Sequence, residues 1–437
     1  MTTAMLEVSI IFIITYALIA SEKIDKTAAA ILGALVIVLF EHASAGELFA
    51  KIDLNVIFLL GGMMMVVSIL ARTGVFEWVA VVLAQQSKGY GMPIVLKFLL
   101  ATAVLSALLD NVTTVILMAP ITILVTQILE IPTVPVLICE AIFSNIGGTA
   151  TLVGDPPNIV IGSQSGFLTF NDFVVHLAPC AGIVAAITFV LVYFLLRKRF
   201  RVADGIRARL MVAHPEKAII DPKTLKRALP VFFLIIVGFV MSHTLHLEPG
   251  LIALTGAMLM AVVCRVSIPQ VLEKVEWGTI FFFVGLFMLI GALEIVGVFE
   301  FLGQKMLTLT SGNLLLTAMI VLWSSAFLSA VVDNIPLVIA MMPLLASLIP
   351  SFAAAAGITD QALINERIAS PLYWSLALGA CLGGNGSLIG ASANVVIAQM
   401  GNRNKCPITF MGFTRYGFPM MLISLVISTG YVWLRYF

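Results

Sequence analysis

Apolar stretches separated by short polar breaks fill nearly the whole chain, at 5–20, 27–40, 55–71, 93–109, 134–146, 171–196, 228–245, 249–264, 277–296, 312–332, 371–382 and 413–434. About 20 mostly apolar residues carry a helix across the hydrocarbon layer, and a helix satisfies its own backbone there, so the pattern predicts membrane-spanning helices. Several stretches are too short to cross alone. The first lacks the basic residues of a signal peptide and has a counterpart later in the chain, so it reads as a span.

The polar breaks recur in register. At an offset of 223, Gly74-Val75-Phe76-Glu77 returns as Gly297-Val298-Phe299-Glu300, Asp110-Asn111 as Asp333-Asn334, and Pro120 as Pro343. Between 106–120 and 329–343, eight of fifteen positions are identical. After an insertion of thirteen residues, 147–161 aligns with 383–397, seven of fifteen identical. Aligned Asp-Asn, Pro and Gly-Gly mark a duplication, because chance likeness between apolar helices matches only apolar residues. The expected organisation is a first repeat at 1–200, a basic linker at 201–227 and a second repeat at 228–437. Matched helix breaks in duplicated halves are a feature of secondary transporters. An odd number of crossings per half would invert the repeats. The expected fold is an all-α polytopic membrane protein with two inverted repeats, about ten crossing helices, two re-entrant hairpins and two broken helices.

The chemistry is expected at the breaks. Segments 93–129 and 314–349 are apolar except at their middles, where Asp110, Asn111, Thr113 and Thr114 stand in one and Asp333 and Asn334 in the other. Each reads as a hairpin with Asp-Asn at its tip, since a carboxylate inside a membrane is costly and generally faces a cavity. Asp and Asn also cap helix starts, so capping is an alternative role for each aspartate. The second element, 134–166, carries Glu140 and then Gly147 to Asn158, with three glycines and Pro156-Pro157, which cannot continue a helix. Its counterpart is 371–399, with Gly383 to Asn394. Irregular backbone at membrane depth belongs in protein interior or along a water-filled cavity. Asp155 faces Ala391 in the alignment, and Glu140 stands in the first half alone. Asp110, Asp155 and Asp333 are the candidates for proton coupling or Na⁺ ligation.

Composition agrees: 61% of residues are hydrophobic, 11% are charged, and the mean hydropathy is +1.11. These values exclude a soluble enzyme and a nucleic-acid binder. Segment 197–227 holds ten of the 24 Lys and Arg residues against three acids, which places it in the cytoplasm. Five cysteines without metal-ligand spacing read as small buried residues, and the five histidines as surface residues. No metal site and no cofactor are expected, and no Gly-Lys-Ser/Thr follows the glycines of 383–390. Energy is then expected from a gradient of H⁺ or Na⁺, or from a separate ATPase partner.

Four segments carry a family resemblance: LLDNVTTVILMAPIT (108–122), SNIGGTATLVGDPPNIVI (144–161), VVDNIPLVIAMMPLL (331–345) and ACLGGNGSLIGASANVV (380–396). The chain resembles the ion transporter superfamily, in the branch of arsenical pump membrane proteins, NhaD-type antiporters and the melanosomal P protein. That resemblance implies inverted repeats, a homodimer in the plasma or inner membrane, and elevator-like movement of a transport domain. It places the substrate site at Asp110, Asn111, Thr113, Thr114, Gly148, Thr149, Thr151, Asp155 and Asn158, with Asp333, Asn334, Asn385, Ser387, Ser392 and Asn394 from the other half. The expected activity is arsenite or antimonite efflux in exchange for protons. The alternatives are a Na⁺/H⁺ antiporter or other ion permease and, remotely, an intramembrane aspartyl protease using Asp110 and Asp333, whose Gly-x-Gly-Asp signature is missing.

Overall fold

Helices begin where the sequence places a side-chain acceptor beside an apolar run. Asp25 accepts from the amides of Thr27 and Ala28, Asp53 from Val56, and Asp221 from Lys223 and Thr224. The computed structural model describes residues 2–20, 23–40, 42–200, 202 and 215–437. Residues 201 and 203–214 of the basic linker, including Arg201, Arg207 and Arg209, lie outside the described residues.

The first half runs through α1 (Thr3–Ala20), α2 (Lys26–Leu39), α3 (Ala45–Ala50), α4 (Leu54–Ala71), α5 (Val75–Gln86), α6 (Gly91–Leu108), α7 (Asn111–Ile128), α8 (Thr133–Gly148), α9 (Pro156–Ser165), α10 (Phe170–His176) and α11 (Ala178–Leu196). The second continues with α12 (Pro222–Val240), α13 (Ser242–Leu245), α14 (Pro249–Cys264), α15 (Ile268–Leu272), α16 (Trp277–Ile295), α17 (Val298–Thr310), α18 (Leu314–Val331) and α19 (Asn334–Ala356). It ends with α20 (Gln361–Ile364), α21 (Ser370–Gly383), α22 (Ser392–Arg403) and α23 (Phe410–Tyr436). Among the described residues there is no strand. Eight helices among the described residues are long and apolar enough to cross a membrane, and four of these are α6, α7, α18 and α19. The chain is an integral, multi-pass membrane protein.

Helix bounds follow the sequence repeat, and so does the packing. Gly62 of α4 lies so close to α14 that an added Cβ would stand 2.6 Å from the Ala253 carbonyl carbon. Gly285 of α16 lies equally close to α2, with the Ile31 nitrogen 2.9 Å from such a Cβ. Residues 62 and 285, like 30 and 253, are 223 apart, so each half offers its α4-type helix to the other half's α2-type helix. The same exchange recurs where α7 packs on α22 and α19 on α9. Reciprocal contacts of this kind come from a two-fold relation between the halves. Small residues let helix backbones approach where lipid gives no hydrophobic drive to associate.

Two expectations need correction. The stretch 171–196 is two helices, because Pro179, near the start of α11, has no amide to continue the ladder from α10. His176 is half-buried rather than at the surface. Its ring stacks 5.2 Å from Trp374 and 5.8 Å from Tyr436, and its Nδ1 lies 2.7 Å from the Tyr436 hydroxyl.

The crossing yields a prediction. Gly62→Val and Gly285→Val should each destabilise the protein by about 1–3 kcal/mol, because backbone rather than a movable side chain blocks the new atoms. Gly61→Ala, with nothing within 4 Å of the added carbon, should leave thermal unfolding in detergent unchanged. Equal melting of all three would contradict the crossing.

Candidate functional site

The two tips arise where α6 and α18 stop and Asp-Asn starts the next helix. Asp110 caps α7, accepting from the Thr113 amide at 2.7 Å and from the Thr113 hydroxyl. Asp333 occupies the matched position but makes no cap bond. It accepts from Ser392 Oγ at 2.8 Å and faces Lys26 Nζ at 3.9 Å. Capping and cavity lining thus coexist at Asp110, whereas Asp333 reaches across to α22 and α2.

The broken helices are held open by matched bonds. Asn158 Nδ2 donates to the carbonyls of Gly148, Thr149 and Thr151, at 3.4, 3.2 and 2.9 Å. Asn394 Nδ2 does the same for Gly384 and Ser387, at 2.8 and 2.9 Å. Thr151 Oγ1 donates to the Ala107 carbonyl, and Ser387 Oγ to the corresponding Ala330 carbonyl. Thr149 Oγ1 donates to the Asn145 carbonyl. Gly148 and Gly154 touch backbone to backbone, leaving no room for a Cβ at either. Thr151 and Ser387 thus tie the unwound backbone to the hairpins, while Thr149, Asn158 and Asn394 satisfy carbonyls within the broken helices themselves.

Between the tips lies a buried amide cluster. Asn111 Nδ2 donates to Asn145 Oδ1 at 3.1 Å and to Asp155 Oδ1 at 3.2 Å, and Asn334 Nδ2 lies 3.5 Å from the same Asp155 oxygen. Asn145 Nδ2 in turn donates to Asn385 Oδ1 and Asn394 Oδ1, at 2.9 and 3.0 Å, joining the halves. Cys381 Sγ stands 3.5 Å from Asn158 Oδ1. Asp155 Oδ2, Asn111 Oδ1, Asp333 Oδ1 and the Thr114 hydroxyl are buried without a hydrogen-bond partner among the described residues.

A cavity of about 400 Å³ opens beside the tips, lined by Asp110, Asp333, Ser392, Lys26, Glu276 and Thr279 among others. Asp155 is fully buried, does not line this cavity, and meets the tips through Asn111 and Asn334. Sequence reasoning missed Asn145, whose aligned partner is Cys381, so the repeat gave no signal for it. It also missed Lys26 and Glu276, which stand at span ends and have no motif around them.

Hairpin tips and unwound helices meeting at a buried polar cluster beside a cavity are the arrangement of a membrane transporter. The chain belongs to the citrate transporter family (CitMHS), which matches residues 16–365, within the ion transporter superfamily. It is 42% identical to a 46 kDa membrane protein of Mycobacterium leprae, over 98% of this chain and 97% of that one. It is 32% identical to the human P protein, over 95% of this chain and 58% of that longer protein. The fold matches the YdaH transporter of Alcanivorax borkumensis with a TM-score of 0.60 at 14% identity, over 92% of this chain and 88% of that one.

Asn145 generates a prediction. Asn145→Ala removes the donor to two buried oxygens on the other half, and should cost about 1–3 kcal/mol of stability. Thermal unfolding of the purified variant checks this; melting equal to wild type would contradict the bridging role.

Proposed function

We propose that this chain is an ion-coupled secondary transporter whose cargo is an uncharged hydroxylated solute or a cation, with arsenite or antimonite leaving in exchange for protons as the leading case. The observation that carries this reading is the charge of the cavity. Asp25, Asp110, Glu276 and Asp333 line it against Lys26, the one Lys or Arg among its described lining residues. A free tricarboxylate, the substrate class in the family's description, would meet excess like charge there. Arsenite at neutral pH is mostly an uncharged trihydroxide. Its three O–H donors suit an oxygen-rich pocket, and Asp110, Asp333 and Ser392 offer oxygens at the cavity wall.

In this reading Asp110 and Asp333 bind cargo or proton in turn, and Asp155 behind them responds through Asn111 and Asn334. Elevator-like movement of the hairpin and broken-helix part against the crossed helices, as a homodimer with inverted repeats, belongs to the same proposal. A second reading, Na⁺/H⁺ exchange, draws on the three unpartnered oxygens of Asp155, Asn111 and Asp333, since oxygen ligands suit a hard cation.

Proteoliposomes holding a pH gradient and a trapped pH dye test the proposal with arsenite, Na⁺ and citrate in separate samples. Saturable proton movement on arsenite is expected. Asp110→Asn and Asp333→Asn should each reduce it to background with wild-type melting. A response to Na⁺ alone selects the second reading, a response to citrate alone overturns the charge argument, and wild-type rates in both variants overturn the site.

A further inference from the structure

Glu140 lies in the middle of α8, on a part of the molecule that the cavity does not reach. It is 1% exposed, and its Oε1 accepts from Thr122 Oγ1 of α7 at 3.1 Å and Thr102 Oγ1 of α6 at 3.4 Å. Its Oε2 is buried with no partner among the described residues. An ionised carboxylate so placed, without a cation, carries a desolvation cost of several kcal/mol.

The ionisable groups on the packed elements do not supply that cation. On α8 the other such residue is Cys139, α6 carries Lys97, and α7 carries none. On the remaining helices against α8 stand Cys180 and Tyr193 of α11, Tyr373 and Cys381 of α21, and Arg403 of α22. On α23 they are Arg415, Tyr416, Tyr431, Arg435 and Tyr436. None of these forms a hydrogen bond or ion pair with Glu140.

Two further hydroxyls stand on α7 and α8. Thr126, one helical turn beyond Thr122, donates its Oγ1 hydrogen to the Thr122 carbonyl at 2.7 Å, and that oxygen lies 2.9 Å from Thr133 Oγ1. Thr133 begins α8 beside the exposed Pro132. The second half has the same hairpin and helix without these groups. At the positions matching Thr122, Thr126, Thr133 and Glu140 stand Leu345, Ile349, Ala369 and Leu376. Packing a hairpin on this helix therefore needs no carboxylate.

We infer that Glu140 is a proton-binding site separate from the aspartates of the cavity, held between Thr102 and Thr122 of the first hairpin. The Glu140 carboxylate takes up a proton to become a neutral acid, its free Oε2 carrying the new O–H while Oε1 keeps its bonds from Thr122 and Thr102, and later returns the proton. This rests on the proton-coupled reading above for its place in transport.

Infrared difference spectroscopy between acidic and alkaline buffer tests the site directly, on the full chain in lipid nanodiscs without cargo. The wild type should show a carboxylic-acid C=O band that Glu140→Gln and Glu140→Leu both abolish. The leucine variant copies Leu376 of the second half, which guards against loss of fold, and melting temperatures confirm it. Asp155→Asn should keep the band, and Thr122→Val should shift it. Spectra of both Glu140 variants identical to wild type would overturn the inference. The expected band in a protein that moves no protons with arsenite or Na⁺ would uphold the site while defeating the transport reading.

Discussion

Two asparagine amides carry the constraint on which the rest of this structure depends. A helix broken inside a membrane exposes carbonyls that lipid cannot satisfy, at several kcal/mol each. Asn158 and Asn394 reach back to those carbonyls, three in the first half and two in the second. With the breaks secured, α9 and α22 start at the depth of the hairpin tips. Asp155 then meets Asn111 and Asn334, and Ser392 meets Asp333. The close glycine contacts serve the same end, since a side chain at Gly148 or Gly154 would separate the two arms of the break.

The two-fold relation builds the frame, and departures from it supply the chemistry. Both halves share the crossed helices, the tips and the asparagine ties. Asp155 answers to Ala391, Glu140 to Leu376, and Asn145 to Cys381, so the first half brings the buried carboxylates and the bridging amide. The second half brings amide oxygens from Asn385 and Asn394 for that bridge. The cavity acids come two from each half, whereas the fully buried Glu140 and Asp155 come from the first alone, so the chemistry is asymmetric while both halves pack alike.

Much of this was legible in the sequence because helix-breaking residues interrupt apolar runs and do so twice. The duplication, the Asp-Asn tips and the unwound glycine segments all announce themselves through residues that an apolar helix does not tolerate. The family resemblance to P-protein-like permeases likewise rested on those segments. Partners across the fold were not legible. Nothing local to Gly62 names Ala253, and nothing local to Lys26 names Asp333. Asn145 lay hidden because its aligned residue is a cysteine, and His176 because its stacking partners stand on α21 and α23. Thr151, Ser387 and Asn394 illustrate a different gap. Their polarity marked the site, but sequence could not tell a group facing cargo from one tied to backbone.

The most direct measurement of the constraint is hydrogen–deuterium exchange on the full chain in lipid nanodiscs, comparing wild type with Asn158→Leu, which keeps a similar volume and has no donor. The account predicts faster exchange in 147–158 and at the tip residues 109–114, with 54–71 and 277–295 unchanged. Unaltered exchange in 147–158 would mean that the break is held by something other than the Asn158 amide, and the account built on it would fail.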